Sequence, residues 1–214
     1  MTIYVNEIFF SIQGESVNAG RPCVFVRLAG CNLRCIYCDT KYAYEQDEKY
    51  ELNEIVKQVD AFNGDLVEIT GGEPLLQEET PALIHILLEK GYEVMMETNG
   101  SFNINLVDRR CMKILDMKCP SSGESEKNDI NFKKHARGIF MVKFVISDKN
   151  DYFFAKNMMK NIMPDFPKNH ILLSAAFNRL SFKKLAEWII KDNLKARLNL
   201  QIHKIIWPEV LRGV

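Results

Sequence analysis

Four short polar signals each follow directly on an apolar run in this 214-residue chain. "GCNLRC" follows "CVFVRLA", "TGGEP" follows "DLVEI", "ETNG" follows "YEVMM" and "KCPSSG" follows "CMKILDM". The runs are rich in β-branched and aromatic residues and read as strands. Helical periodicity lies between them. Residues 51–62 place Leu52, Ile55, Val56 and Val59 on one helical face. Residues 80–91 read as a helix with Thr80 as N-cap, Pro81 at its first position and Gly91 past its end. Further strands are expected at 138–147, 170–175 and 196–203, with helices near 150–163 and over 182–192, the latter capped by Ser181.

Strands alternating with helices imply parallel βαβ units, an α/β architecture. In such folds the edge at the strand C-termini carries the ligand site, and all four signals fall on that edge. A full eight-unit barrel takes ~250 residues, so an incomplete, splayed (β/α) barrel fits this chain better. Residues 121–137 are polar and charged and read as a flexible loop. Nothing divides the chain, which reads as a single domain over 1–214.

Lys plus Arg equals Asp plus Glu, 28 of each, so no global field drives the chain to nucleic acid or membrane. No apolar run reaches the ~18 residues of a membrane span. The start, "MTIYVNEIFFSIQGE", has neither a basic n-region nor a small-residue cleavage site, which points to a cytoplasmic location.

There are six cysteines, too few for a disulfide scaffold. Cys23, Cys111 and Cys119 are scattered and read as buried small hydrophobes. Cys31, Cys35 and Cys38 are clustered in a C-x3-C-x2-C spacing. Zinc motifs usually come as paired C-x2-C units and need a fourth ligand, here His85 or His203. Three thiolates instead suit three irons of a cubane cluster whose fourth iron stays open, since such clusters otherwise take four cysteines. His85 lies in "ALIHILL" and reads as core or helix surface.

The cysteine triplet, with Tyr37 before its last member and "GGEP" at 71–74, resembles the radical S-adenosylmethionine superfamily. "EIFFSIQGES" at 7–16, "GRPCVFVRLAGCNLRCIYCDT" at 20–40 and the terminal "HKIIWPEVLRGV" narrow the resemblance to the 7-carboxy-7-deazaguanine synthase family. The resemblance implies a 4Fe-4S cluster on Cys31, Cys35 and Cys38, with S-adenosylmethionine on its open iron and a magnesium ion. It implies radical hydrogen abstraction from 6-carboxy-5,6,7,8-tetrahydropterin, ring contraction and loss of ammonia, as in queuosine and deazapurine biosynthesis. Flavodoxin or ferredoxin would supply the electron, and the chain would be a homodimer.

By matching positions, Ile12, Gln13, Gly14 and Glu15 would meet the pterin. Arg27 would pair its carboxylate, a bidentate task suited to guanidinium. Thr70 and His203 would also face the substrate, the C-terminal segment folding over it. Thr40 would ligate magnesium. Tyr37, Cys38, Asp39, Gly72, Glu73, Glu97, Asn99, Asp116, Met117 and Lys118 would lie about S-adenosylmethionine, Glu73 accepting from its ammonium. Asp116 stands where serine can occur in the family. A glycyl-radical activating enzyme would share the cysteines and "GGEP" but require neither "SIQGE" nor the terminal segment. A zinc-binding interaction protein is the reading from a different class.

Overall fold

The computed structural model describes residues 1–45, 48–132, 138, 140–210 and 212–214. Nine strands among these residues form one open sheet: β1 (Thr2–Ile12), β2 (Pro22–Leu28), β3 (Glu48–Glu51), β4 (Leu66–Gly71), β5 (Glu93–Thr98), β6 (Met112–Met117), β7 (Phe140–Ile146), β8 (Ile171–Ala175) and β9 (Arg197–Asn199). Their spatial order is β3-β1-β2-β4-β5-β6-β7-β8-β9. The long β1 pairs antiparallel with β2 and β3. From β2 to β9 every neighbouring pair is parallel. This is the incomplete α/β barrel that the alternation implies.

Side chains alternate across a strand, so register fixes what each face carries. Arg27 lies opposite Thr70, Asp116 opposite Lys143, and Ser174 opposite Asn199. These residues, with Glu68 and Glu97, form a polar layer on one face. Towards the strand N-termini the same face turns apolar, where Cys23, Phe25, Leu66, Met95 and Ile114 pack as a small cluster. The opposite face is largely apolar, with Val26, Ile69, Met96, Leu115, Phe144 and Leu173 in the main core and Lys113 buried there on the Asp108 and Cys111 carbonyls.

That core is completed by α1 (Leu52–Ala61), α2 (Thr80–Glu89), α3 (Lys149–Asn157) and α4 (Phe182–Lys191). Helix α1 buries the Leu52, Ile55, Val56 and Val59 stripe that its periodicity marks out. Each such side chain contributes about 1.5–3 kcal/mol on burial. Glu54 reaches back to the Glu51 amide at 2.8 Å to close its first turn. Asp148 caps α3 through the Asn150 and Asp151 amides, and Ser181 caps α4 through Lys184. No helix among the described residues is long and apolar enough to cross a membrane.

Several expectations shift. Thr80 is the first helical residue rather than the cap, because its hydroxyl is drawn down to the Pro74 carbonyl at 2.5 Å. The strand expected at 196–203 ends at Asn199, and residues Ile202–Ile206 turn into a short helix, α5, that carries His203. Residues 121–128 are not a free loop. Ser122 accepts from the Ile36 amide at 3.0 Å, Glu124 from the Arg34 amide at 2.7 Å, and Asn128 clasps both the amide and the carbonyl of Lys118. Residues 133–137 of that expected loop, Ile139 of the expected 138–147 strand and Leu211 of the terminal motif lie outside the described residues.

The β4 terminus presses against β2 more closely than any side chain permits. Gly71 has φ +144, and a Cβ there would sit 2.1 Å from the Leu28 carbonyl oxygen. Gly72 would meet the Gly30 carbonyl at the same distance. Gly71→Ala is therefore expected to lower the chemical-unfolding free energy by at least ~1–3 kcal/mol from backbone strain alone. An unfolding midpoint equal to that of the unsubstituted protein would contradict this reading.

Candidate functional site

The polar layer opens at the strand C-termini into one cavity of about 1350 Å³, counted to its open mouth. It brings together Cys31, Cys35, Tyr37, Cys38, Asp39 and Thr40 from the cysteine loop, and Ile12, Gln13, Gly14 and Glu15 from the end of β1. Arg27, Thr70, Gly72, Glu97, Asn99, Asp116 and Lys118 line it from strand ends, and His203 from α5. Every residue that the resemblance assigns to cluster, cofactor, magnesium or substrate is therefore at the cavity except Glu73 and Met117.

Those two are placed elsewhere for plain reasons. Met117 falls on the helix-covered face of β6 and is buried in the main core. Glu73 is fully buried, and its carboxylate accepts from the Leu75 amide at 3.0 Å, the Thr98 hydroxyl at 2.7 Å and the Asn99 amide at 2.7 Å. Rather than waiting for an ammonium, it ties "GGEP" to "ETNG". Gln13 is also committed. Its amide donates to Glu68 and to the Met95 sulfur, while its oxygen accepts from the Glu15 amide at 2.9 Å.

Sequence reasoning passed over Lys143, Glu68 and Gln201, which also line the cavity. Lys143 sits within hydrogen-bond reach of Glu97, 3.1 Å from Glu15 and 3.9 Å from Asp116. Asp116 also pairs with Lys118 at 2.9 Å. Glu15 takes further hydrogen bonds from Gln201 at 2.8 Å and Asn199 at 2.9 Å. Burial opposes charge at each of these groups, yet the ion pairs win at most of them. Glu15 is held below the usual carboxylate range by Lys143 and Gln201, and Asp116 by Lys118 and Lys143. The three carboxylates raise Lys143 well above the ordinary lysine value. At Glu97 burial prevails and its carboxyl is raised.

The chain's two ends meet over the cavity. The Ile202 amide donates to the Gly14 carbonyl at 3.0 Å, and a Cβ on Gly14 would lie 1.9 Å from Nδ1 of His203. Lys204 pairs with Asp39. Arg212 donates to Asn6 at 3.1 Å and lies 4.2 Å from the Tyr42 ring centroid.

The donor set suits an iron–sulfur cluster and its ligand. Cys31, Cys35 and Cys38 are free thiols on one cavity wall, and the Leu33 amide lies 3.5 Å from the Cys31 sulfur. Among the described residues no three His, Cys, Asp or Glu side chains converge on a point that could hold a single metal ion. A cubane instead spreads its thiolates over separate irons. Oδ1 of Asp116 is buried with no hydrogen-bond partner among the described residues, an acceptor left for a ligand's donor. Cys23, Cys111 and Cys119 are buried away from the cavity, as their scatter suggests. His85 is on the α2 surface, 3.4 Å from Asp108, and cannot complete a zinc site with the triplet.

Removing one partner from a buried ion-pair network costs about 3–5 kcal/mol, so Lys143→Met should destabilise the protein by that order. Without the cation, burial raises the folded-state pKa values of Glu15 and Glu97 above their unfolded values, while Lys118 still holds Asp116 down. The folded variant then binds more protons than the unfolded chain and gains stability as pH falls from ~8 towards ~5. Urea unfolding at both pH values checks this, and a deficit that stays constant or grows on acidification would count against the network.

Comparison with known proteins agrees with this geometry. Residues 26–120 match the family model described as the Radical SAM superfamily. A 7-carboxy-7-deazaguanine synthase from Chlorobaculum tepidum is 42% identical over 213 residues, covering 98% of this chain and 96% of the relative. One from Koribacter versatilis is 39% identical, covering 98% and 99%. The crystal structure of QueE from Escherichia coli superposes with a TM-score of 0.73 at 22% identity, covering 94% of each chain, a likeness of fold. The chain belongs to the 7-carboxy-7-deazaguanine synthase family of the radical S-adenosylmethionine superfamily.

Proposed function

We propose that this chain converts 6-carboxy-5,6,7,8-tetrahydropterin to 7-carboxy-7-deazaguanine by hydrogen abstraction, ring contraction and loss of ammonia, in queuosine or deazapurine biosynthesis. The observation that carries the proposal is that three free cysteines, Arg27, Thr40, Glu15 and His203 line a single cavity although they are far apart in sequence. Bound at Cys31, Cys35 and Cys38, a 4Fe-4S cluster with S-adenosylmethionine supplies the electron and the hydrogen-abstracting radical.

The chain's own residues bind, orient and enclose. Arg27 uses Nε on Glu7 at 2.7 Å, and its Nη groups make no hydrogen bond among the described residues. Glu7 thus fixes one edge of the guanidinium and leaves the other to grip the substrate carboxylate as a fork. Tyr37, Asp39, Gly72, Glu97, Asn99, Asp116 and Lys118 surround the S-adenosylmethionine side, with Glu73 acting through the turn at Thr98 and Asn99 that it holds. Ile12, Gly14, Glu15, Thr70 and His203 face the pterin side. Gln201, His203 and Val214 line the cavity from the C-terminal side and keep water from a reactive intermediate. Thr40 ligates magnesium. With no protein cage for a lone ion among the described residues, such an ion would need the substrate's own oxygens as further ligands. The enzyme works as one domain, as a homodimer, in the cytoplasm, with a flavodoxin or ferredoxin as electron donor. A glycyl-radical activating enzyme is disfavoured, because the family match runs the length of the chain.

Anaerobic turnover with the tetrahydropterin, S-adenosylmethionine, dithionite and Mg2+, followed by mass spectrometry, tests the reaction. The expected product is the carboxylated deazaguanine, and recovery of unchanged pterin with intact cluster would refute it. Thr40→Ala should blunt the magnesium response and, where the substrate is displaced by about 1 Å, slow turnover ~100-fold. Thr40→Ser should be far milder. Tight magnesium binding to the pterin-free enzyme would sink this role for Thr40. Arg27→Lys keeps the charge but loses the fork. It should weaken pterin binding by about 1.5–3 kcal/mol and leave S-adenosylmethionine binding nearly untouched. Calorimetric titration of both ligands decides, and equal losses would make Arg27 a scaffold residue.

A further inference from the structure

Glu68 is the one cavity-lining carboxylate to which no task has yet been given. It sits on β4 two residues below Thr70, where the polar layer gives way to the apolar floor. Its register partners are Phe25 on β2 and Met95 on β5, both members of that floor. No cation pairs with it among the described residues. Oε2 accepts from the Gln13 amide, whose other end is fixed by the Glu15 amide at 2.9 Å. Oε1 has no hydrogen-bond partner among the described residues, yet it is not sealed within protein, so it opens to the cavity. A buried carboxyl with one oxygen anchored and the other open can accept from a ligand's donor there once it ionises.

We propose that Glu68 reads the N–H edge of the substrate's 2-amino-4-oxopyrimidine ring, and that Gln13 is the positioning residue that aims it. The inference rests on the reading above that the cavity takes a pterin. Ring contraction leaves this half of the molecule unchanged, and in substrate and product alike it presents N–H donors at N2 and N3. With Arg27 at the carboxylate end, the remaining specificity lies at this edge, and among the described residues only Glu68 offers an uncommitted carboxylate oxygen on the floor. Its surroundings suit the task. Burial, and then the nearby Glu97 carboxylate, push its pKa up to about 8, so the unliganded acid is neutral and inexpensive to bury. Arriving N–H donors favour the carboxylate. Glu15 and Glu97 oppose that charge, and Lys143 supports it.

The discriminating probes are 6-carboxypterin and 6-carboxylumazine. They differ at C2, where the pterin's amino donor is replaced by a carbonyl acceptor that a carboxylate repels. Titrated into the reconstituted enzyme with S-adenosylmethionine present, the unsubstituted protein should prefer the pterin by at least ~100-fold, as sites built to hydrogen-bond an N–H do. Glu68→Gln offers both a donor and an acceptor and should cut the preference to ~10-fold or less. Its thermal unfolding should be no worse, because an amide replaces an acid that is already neutral. Gln13→Ala keeps the carboxylate but frees it to rotate, and its preference should fall between the two. Full pterin preference in Glu68→Gln, with the fold and S-adenosylmethionine binding intact, would overturn the assignment. So would equal binding of both probes to the unsubstituted enzyme. Binding of neither probe would overturn the functional reading itself, and this inference with it.

Discussion

One buried ammonium group organises the cavity. Lys143 projects from the middle of the parallel sheet into a layer that contains Glu15, Glu97 and Asp116, and its exposure to solvent is 4%. Three carboxylates at such spacing repel one another, and each resists burial. The Lys143 cation at their centre, with Lys118 on the far side of Asp116, makes the arrangement tenable. It also joins parts of the chain that have no other reason to meet. Glu15 comes from just beyond the antiparallel strand β1, Glu97 and Asp116 from the ends of parallel strands, and Gln201 closes over Glu15 from the far end of the chain. The pterin side and the cofactor side of the cavity thus share one electrostatic centre.

The barrel is left incomplete to make room for this. A closed barrel of this type fills its interior with branched apolar side chains. Here the interior is apolar only at the strand N-termini and polar towards the C-termini. That gradient lies along each strand: Phe25 then Arg27, Met95 then Glu97, Ile114 then Asp116. Side chains two apart share a face, so a single strand supplies both floor and wall.

The sequence carried some of this openly. The cysteine loop, "GGEP" and "ETNG" are local, because the chemistry needs neighbouring residues and the turns need glycines at fixed places. Helix α1 was legible from four apolar positions on one face. Lys143 and Glu68 were not, because each is a lone charge inside an apolar run, "FMVKFVI" and "DLVEIT". Only the register across the sheet shows what they face. Glu73 was misjudged for the converse reason, since a motif residue beside a cofactor loop looks free until its three hydrogen-bond donors are seen. Strands β1 and β3 were missed because their pairing is antiparallel and long-range. The end of β9 was misplaced because α5 follows from a contact with Gly14, which lies at the other end of the chain.

That contact bears on how the protein is made. The imidazole of His203 occupies the space that a side chain on residue 14 would need, so α5 can dock there only because residue 14 is glycine. Residues 201–214 leave the ribosome after every element they cover. During synthesis the cysteine loop, the carboxylates and Lys143 therefore all emerge before the residues that close on Gly14 and Asp39. Only when Ile202 docks on Gly14 and Lys204 on Asp39 does that side of the cavity gain its wall.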